Sequence, residues 1–307
     1  MQVHLFLKIG GVPLRPFLQV LFLMPALLGF LQGTAQGDDI LRAEYFPKSV
    51  KQGDGCLVRV WGPSFKSIHG EVQGQRFPLA PCTKEGASQG LIGIGMNTRP
   101  ATYEIKIVAT NGDGRVFSKV LLLKVAKANF GTEELSLPPG MVDLDGKALE
   151  RVHNEAGRLK ALFQVDRDER LWKGAFISPV EGKLSSTFGL GRVINGQRKS
   201  PHTGVDLEAR EGTPVMASNH GVAVLVDSLF FSGNSVILDH GWGFFSMYFH
   251  LSQALVKEGE RVPAGAMLGR VGSTGRSTGP HLHWGVRIRE THVDPLSVLR
   301  LDGYLRE

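Results

Sequence analysis

The sequence predicts a mainly β protein with two cored domains, joined by a connector that contains one helix. Short strand-like runs separated by turn residues recur between residues 38 and 126, and Gly-rich, strand-like segments return after residue 171. A single apolar stripe at helical spacing lies between these two regions. The length of 307 residues suffices for two cored domains.

Residues 1–37 have the pattern of a secretory signal peptide. Lys8 and Arg15 precede an apolar run over residues 17–31, and small residues follow it. This run is shorter than the roughly 20 apolar residues that span a bilayer. An uncleaved membrane anchor is the alternative. No cysteine lies near the cleavage region, which argues against a lipoprotein.

Residues 38–126 are expected to form an all-β module. Apolar and polar residues alternate over 103–108, a Gly-rich turn follows at 111–114, and a second strand returns over 116–125. This is a strong hairpin signal. Several short strands at this spacing predict a small β-sandwich of immunoglobulin-like type. The module carries no catalytic constellation, so we expect it to bind or to position.

The chain has only two cysteines, Cys56 and Cys82, and both lie in this module. In an oxidising compartment they would pair, and the closed loop would contribute about 3–4 kcal/mol. We favour that disulfide over the alternative of two buried free thiols. Because no cysteine follows residue 171, a thiol nucleophile is excluded there.

Residues 127–170 form the connector. Structure-breaking residues at 138–140 precede Asp145, which is a plausible N-cap for a helix. The helix is expected to dock one face on one of the two domains. Its apolar residues recur every three or four positions: Leu149, Val152, Ala156, Leu159 and Phe163.

Residues 171–307 contain a candidate metal site, because imidazole and carboxylate are ligands that zinc prefers. His202 and Asp206 would lie roughly 13 Å apart on a straight strand. Ligand atoms must come within about 2.0–2.2 Å of one ion, so the chain should bend between them, at Gly204. His281 and His283 are two apart, which places both on one face of a strand.

A catalytic zinc site needs three protein ligands and one open position for water. A histidine, an aspartate and a second histidine supply three ligands. Two remaining histidines, one of which is His250, would orient the water, move its proton and stabilise the oxyanion. Zinc would lower the pKa of its water to about 7. Each motif alone is a weak indication, whereas their combination in a Gly-rich, strand-like context is much stronger.

With these motifs in place, residues 176–295 resemble the lysostaphin/LytM-type zinc metallopeptidases, which cut peptide cross-bridges in bacterial cell walls. The resemblance covers about 120 residues, with its motifs in order. The matching pieces are Phe188-Gly189 with Arg192 and Asn195-Gly196, 202–206, 212–215, 233–236, 239–241, 248–251, 272–275 and 281–283.

The resemblance implies that His202, Asp206 and His283 bind one Zn²⁺ per chain. It makes His250 and His281 the catalytic histidines, and which of them is the general base stays open. None of these positions is substituted, which argues against the degenerate family members that only regulate other wall enzymes.

The expected activity is therefore zinc endopeptidase cleavage of peptidoglycan, in an open groove of an antiparallel β fold. Cross-links made through D-alanine and a diamino acid are the expected substrate. Five side chains are expected to contact it, namely Asn195, Tyr248, Ser273, Thr274 and Thr278.

The charge and the export signal favour the periplasm or cell envelope, with peptidoglycan or an envelope regulatory protein as partner. The 35 basic and 29 acidic residues give +6, and removal of Lys8 and Arg15 leaves +4, which suits an anionic polymer. No nucleic-acid motif is present. Three alternatives remain: a non-catalytic wall-binding activator, a zinc peptidase for other exported proteins, and a precursor inhibited by its N-terminal module.

Overall fold

The computed structural model describes residues 41–82, 86–165, 167 and 169–305. The predicted signal peptide lies outside the described residues. Strands dominate the rest, so the predicted mainly β class is confirmed. Within the described ranges, no helix has both the length and the apolar character needed to cross a bilayer.

Residues 42–126 form nine strands in two sheets around a shared core. The first sheet has the order β1-β3-β7-β6 and the second β2-β9-β8-β4-β5. The predicted hairpin is confirmed as β8–β9, while the immunoglobulin-like assignment stays a prediction. The strands are β1 (Arg42–Phe46), β2 (Val50–Lys51), β3 (Gly55–Trp61), β4 (Ser67–Val72), β5 (Gln75–Pro78), β6 (Ala80–Pro81), β7 (Ala87–Gly93), β8 (Ala101–Thr110) and β9 (Val116–Ala126).

The predicted disulfide between Cys56 and Cys82 is wrong, because both residues are thiols. Cys56 pairs with Ile92 on β7, whereas the backbone of Cys82 bonds to Ala87, at the other end of that strand. Five residues of strand separate the two positions, roughly 16 Å. A disulfide needs Cα atoms within about 7 Å. The Cys56 thiol is instead buried in the module's core.

The remaining strands form a ten-stranded sheet, whose main path is β11-β14-β21-β18-β17-β16-β19, and a three-stranded sheet of order β10-β12-β13. They are β10 (Thr132–Leu135), β11 (Lys183–Ser186), β12 (Gly191–Ile194), β13 (Gln197–Arg198), β14 (Gly204–Glu208), β15 (Pro214–Met216), β16 (Gly221–Leu229), β17 (Gly233–Asp239), β18 (Phe244–Ala254), β19 (Arg261–Val262), β20 (Met267–Val271), β21 (His281–Ile288) and β22 (Thr291–Val293). The helices are α1 (Gly146–Phe163), α2 (Pro295–Leu299) and α3 (Asp302–Leu305), with a 3-10 turn at Pro139–Met141.

The connector helix begins as predicted, because the Asp145 carboxylate accepts a hydrogen bond from the Ala148 N–H at 2.8 Å. Its C-terminal half packs on the large sheet, where the Phe163 ring lies 5.2 Å from that of Phe245. The predicted apolar face of this helix is wrong at its first residue, because Leu149 is 55% exposed. The connector also contains β10, a strand that the sequence patterns do not predict.

One face of the large sheet packs into the core, and the other face carries the candidate metal ligands. Alternation along β21 sends Leu282 and Trp284 into a dry core, where both side chains are 0% exposed. His281 and His283, which alternate with them along the strand, face the opposite side. Asp206 on β14 is the direct cross-strand partner of His283, so the antiparallel register itself brings two candidate ligands together.

Candidate metal centre and groove

The predicted ligands converge on one point. His202 Nε2 lies 3.0 Å from Asp206 Oδ1 and 2.9 Å from His283 Nδ1, and those two atoms are 2.8 Å apart. A triangle of this size allows one ion to lie about 2.0–2.2 Å from every corner, the usual zinc distance. All three residues are buried. The donor set therefore fits a zinc ion with an open position.

The bend predicted at Gly204 is present, because His202 lies just before β14 and its ring reaches back to Asp206. The glycine serves the site through its lack of a side chain. A Cβ at Gly204 would lie 2.7 Å from Nε2 of His283, which would displace that ring. Strand β21 thus approaches β14 closely enough for both to supply ligands.

The electrostatics of the three groups suit a cation. Burial raises the pKa of Asp206, but the close polar contacts of its carboxylate with the imidazoles of His202 and His283 lower it more, so the carboxylate stays ionised. Burial lowers the pKa of His283 to about 4, which keeps its imidazole neutral. The His202 Nδ1–H donates to the Thr187 carbonyl at 2.9 Å, which leaves a lone pair on Nε2.

A second layer of polar side chains holds the ligands. Arg192 donates through one nitrogen to the free oxygen of Asp206 at 2.9 Å and through another to Glu133 at 2.6 Å. Ser186 donates to the other oxygen of Glu133 at 2.9 Å, and its hydroxyl lies 3.1 Å from Nδ1 of His202. Glu133 and Ser186 are not predicted from the sequence, because nothing local indicates that β10 of the connector reaches the metal centre.

His250 and His281 stand beside this centre with their ring centroids 4.8 Å apart. Each ring bonds through Nδ1 to a backbone carbonyl at 2.8 Å, His250 to Thr274 and His281 to Gly279. A carbonyl can only accept, so Nδ1 carries the proton and Nε2 keeps a lone pair. The His281 Nε2 atom lies 3.8 Å from the ligand oxygen of Asp206.

The backbone of His250 is in the left-handed region, with φ of 63°, which is uncommon for a non-glycine residue. Strict alternation from Phe249, which stacks on His283, would send His250 into the core. The unusual φ, together with a register shift in β18, turns the ring toward the metal centre. Local strain of this kind clusters at functional sites. Burial, and then the repulsion that protonated His250 would meet from a protonated His283, lowers the pKa of His250 to about 3.

A cleft of about 350 Å³ opens over the centre and includes Asp206, His250 and His281 among its lining residues. Of the five predicted substrate contacts, Thr278 lines this cleft and is exposed. Ser273 is also exposed but lies outside the lining. Both remain predictions as substrate contacts.

The remaining three residues, Tyr248, Thr274 and Asn195, form hydrogen bonds within the protein. Tyr248 is fully buried and its hydroxyl accepts from the Ser218 N–H at 2.8 Å, so its prediction as a substrate contact is wrong. The Thr274 hydroxyl bonds to backbone, while its carbonyl holds His250. The Asn195 amide forms two bonds with the backbone of Leu137 in the connector. Thr274 and Asn195 therefore position neighbouring segments.

Fold and site together define a metallopeptidase-type centre on an antiparallel sheet. The comparison with protein families then identifies the group that this part of the chain resembles: residues 200–295 match the model of peptidase family M23.

Similar proteins agree with this match. The peptidoglycan DD-endopeptidase ShyA of Vibrio cholerae is 40% identical over 121 residues, which cover 38% of this chain and 28% of the relative. The DD-carboxypeptidase/endopeptidase Mpg of Neisseria meningitidis is 44% identical over 130 residues, 41% of this chain and 30% of the relative. The chain thus spans less than a third of either relative.

The crystal structure of a peptidase M23 from Pseudomonas aeruginosa extends the similarity beyond the family domain. It is 28% identical, with a TM-score of 0.63, and the match covers 81% of this chain and 94% of that one. The similarity in fold therefore extends beyond residues 200–295.

Proposed function

We propose that this protein is an exported zinc metalloendopeptidase that hydrolyses peptide cross-links of bacterial peptidoglycan. The observation that carries the proposal is the convergence of three buried ligand atoms within 3.0 Å of one another, beside two histidines with free Nε2 atoms. The match of residues 200–295 to peptidase family M23 supports the reaction type. The names of ShyA and Mpg support the substrate.

The residues have separate roles in this reaction. His202, Asp206 and His283 would hold zinc, which lowers the pKa of a water to about 7 and polarises a carbonyl. His250 and His281 each present an unprotonated Nε2 toward the cleft side of the centre. One accepts the proton of the attacking water, and the other, once protonated, donates to the oxygen or the leaving amine. The carbonyls of Thr274 and Gly279 keep both rings in this tautomer.

Export is part of the proposal, because the substrate lies outside the cytoplasm. Residues 1–37 supply the signal-like pattern. A fusion of these residues to a reporter that is active only after export should be active. An inactive fusion would oppose the exported assignment while leaving the chemistry untouched.

The test of the activity is digestion of purified peptidoglycan by zinc-loaded protein, followed by mass spectrometry of the muropeptides. Cross-linked dimers should disappear and monomers with new amino groups should appear. His281→Ala should abolish cleavage yet retain one zinc, because Nε2 of this residue is no ligand. Normal cleavage by His281→Ala would refute the mechanism. Wall binding without cleavage would favour the non-catalytic activator.

A further inference from the structure

Among the residues that the structure describes, Arg276 is a cation of the cleft with no partner for its charge. It lies between β20 and β21, its backbone N–H donates to the Phe231 carbonyl at 2.8 Å, and its guanidinium carbon lies 4.1 Å from the centroid of the Phe231 ring. Across the described part of the chain, no side-chain hydrogen bond and no carboxylate within 4.0 Å is found for it. Its five donors are therefore available.

The other arginine of the cleft already has two carboxylate partners. Arg192 is held between Glu133 and Asp206, and its side chain is 21% exposed. Among the described lining residues, this leaves Arg276 as the one lysine or arginine that is free to meet an anion. The same lining includes Asp206, His250 and His281, so an anion bound by Arg276 would lie in the cleft that contains the reacting groups.

The surroundings of Arg276 favour an anionic ligand over solvent. The side chain is half-buried, and burial, then the positive charge of Arg192, lowers its pKa. Both causes mean that the charge is poorly compensated in the free protein. Stacking on Phe231 restricts the guanidinium plane, which reduces the entropy lost when a planar carboxylate binds in bidentate fashion.

Arg287 provides an internal comparison. Its guanidinium also lies over an aromatic ring, 4.3 Å from the centroid of Phe163, but it donates to the carbonyl of Glu290 and to His292, each at 2.8 Å. It belongs to a different cleft, beside α1. Half-buried arginines elsewhere in this domain thus have polar partners, whereas the one beside the metal centre has none among the described residues.

We propose that Arg276 binds a free carboxylate of the substrate peptide next to the cleaved bond, and so selects cross-links that carry this carboxylate over the same cross-links with it amidated. The inference rests on the proposed function and names the substrate class within it. A diamino acid joined through one amino group has such a carboxylate on the carbon beside the scissile amide, whereas a glycine bridge has none.

The test compares two purified muropeptide dimers that differ only in this group, a free carboxylate or its primary amide. Zinc-loaded wild-type protein should cleave the free form with a kcat/KM roughly 10–100-fold higher, the usual effect of charge-assisted hydrogen bonds. Arg276→Gln should lose this factor on the free dimer and cleave the amidated dimer as wild type does. Arg276→Lys should retain part of the preference, since the charge remains.

The control is Arg287→Gln, which removes a stacked guanidinium outside the cleft and should leave the ratio between the two dimers unchanged. Equal loss on both dimers in Arg276→Gln would indicate a structural role and overturn the inference. Equal cleavage of both dimers by wild type would overturn the inference while supporting the proposed function. Cleavage of neither dimer would defeat the proposed function, and the inference with it.

Discussion

Replacing Glu133 with glutamine should weaken zinc binding, although Glu133 is no ligand. The carboxylate accepts from Arg192 and from Ser186, and these two side chains contact Asp206 and His202 in turn. Glutamine keeps the size of the side chain but removes the negative charge. Arg192 is then held less firmly against Asp206, and the zinc ion loses a nearby compensating anion.

The size of the effect follows from burial. Exposed ion pairs contribute about 0–1 kcal/mol, but the Glu133 and Arg192 side chains are only 19% and 21% exposed. Loss of a hydrogen-bond partner behind a metal ligand usually costs about 10–100-fold in metal affinity. We therefore expect the zinc dissociation constant of Glu133→Gln to rise by that factor, or about 1.4–2.7 kcal/mol.

The assay is competition for zinc with a chromogenic chelator, together with thermal unfolding of the metal-free protein. The metal-free melting temperature should change little, which separates a positioning role from a general loss of structure. Glu134→Gln is the matched control, because that neighbouring side chain is exposed and should leave zinc affinity unchanged. Equal zinc affinity in Glu133→Gln and wild type would refute the reasoning.

Further predictions concern buried groups away from the metal. Burial lowers the pKa of His240 to about 4, so the unfolded chain binds an extra proton as the pH falls from about 6.5 to 4, and roughly 3 kcal/mol of stability is lost in that window. His240→Asn should flatten the pH dependence of unfolding in urea, and an unchanged slope would contradict the shift. Tyr248→Phe leaves the buried Ser218 N–H unpaired, so it should lower the free energy of unfolding by about 1–3 kcal/mol and leave KM unchanged. A raised KM would restore a substrate role for the hydroxyl. Unreduced, denatured protein should take up two maleimide labels, at Cys56 and Cys82, and uptake of none would indicate the disulfide after all.

Local patterns were sufficient for the parts of the fold that depend on local physics. The Asp145 cap and the β8–β9 hairpin follow from side-chain capping and turn residues, and both are present. The histidines of the site on β21 could also be predicted from the sequence, because alternation along a strand places His281 and His283 on one face independently of the rest of the fold.

Features that depend on pairing between strands far apart in the sequence could not be predicted from local patterns. Strand β10 pairs in parallel with β12, more than fifty residues away, and only this pairing brings Glu133 to Arg192. The disulfide prediction failed for the same reason, since the strand register separates the two cysteines along β7. Tyr248 lies in a motif beside His250, and strict alternation would place both side chains in the core. Only the left-handed backbone of His250 and the register shift in β18 turn the His250 ring toward the metal centre.

The connector bears on whether the N-terminal part inhibits the enzyme. Leu135 and Leu137 line the cleft, and Glu133 bonds to Arg192 behind the metal ligands. This segment therefore both narrows the cleft and supports the metal ligands. If support dominates, removal of residues before Trp172 lowers zinc affinity and activity. If inhibition dominates, the same removal raises activity, and comparing full-length and shortened proteins on muropeptide dimers distinguishes the two.

Anomalous diffraction at the zinc absorption edge, on crystals of the zinc-loaded protein, tests the central claim most directly. One peak per chain is predicted, about 2.0–2.2 Å from His202 Nε2, Asp206 Oδ1 and His283 Nδ1. A peak bound by other side chains, or a chain without any peak after zinc loading, would contradict the assignment of this centre.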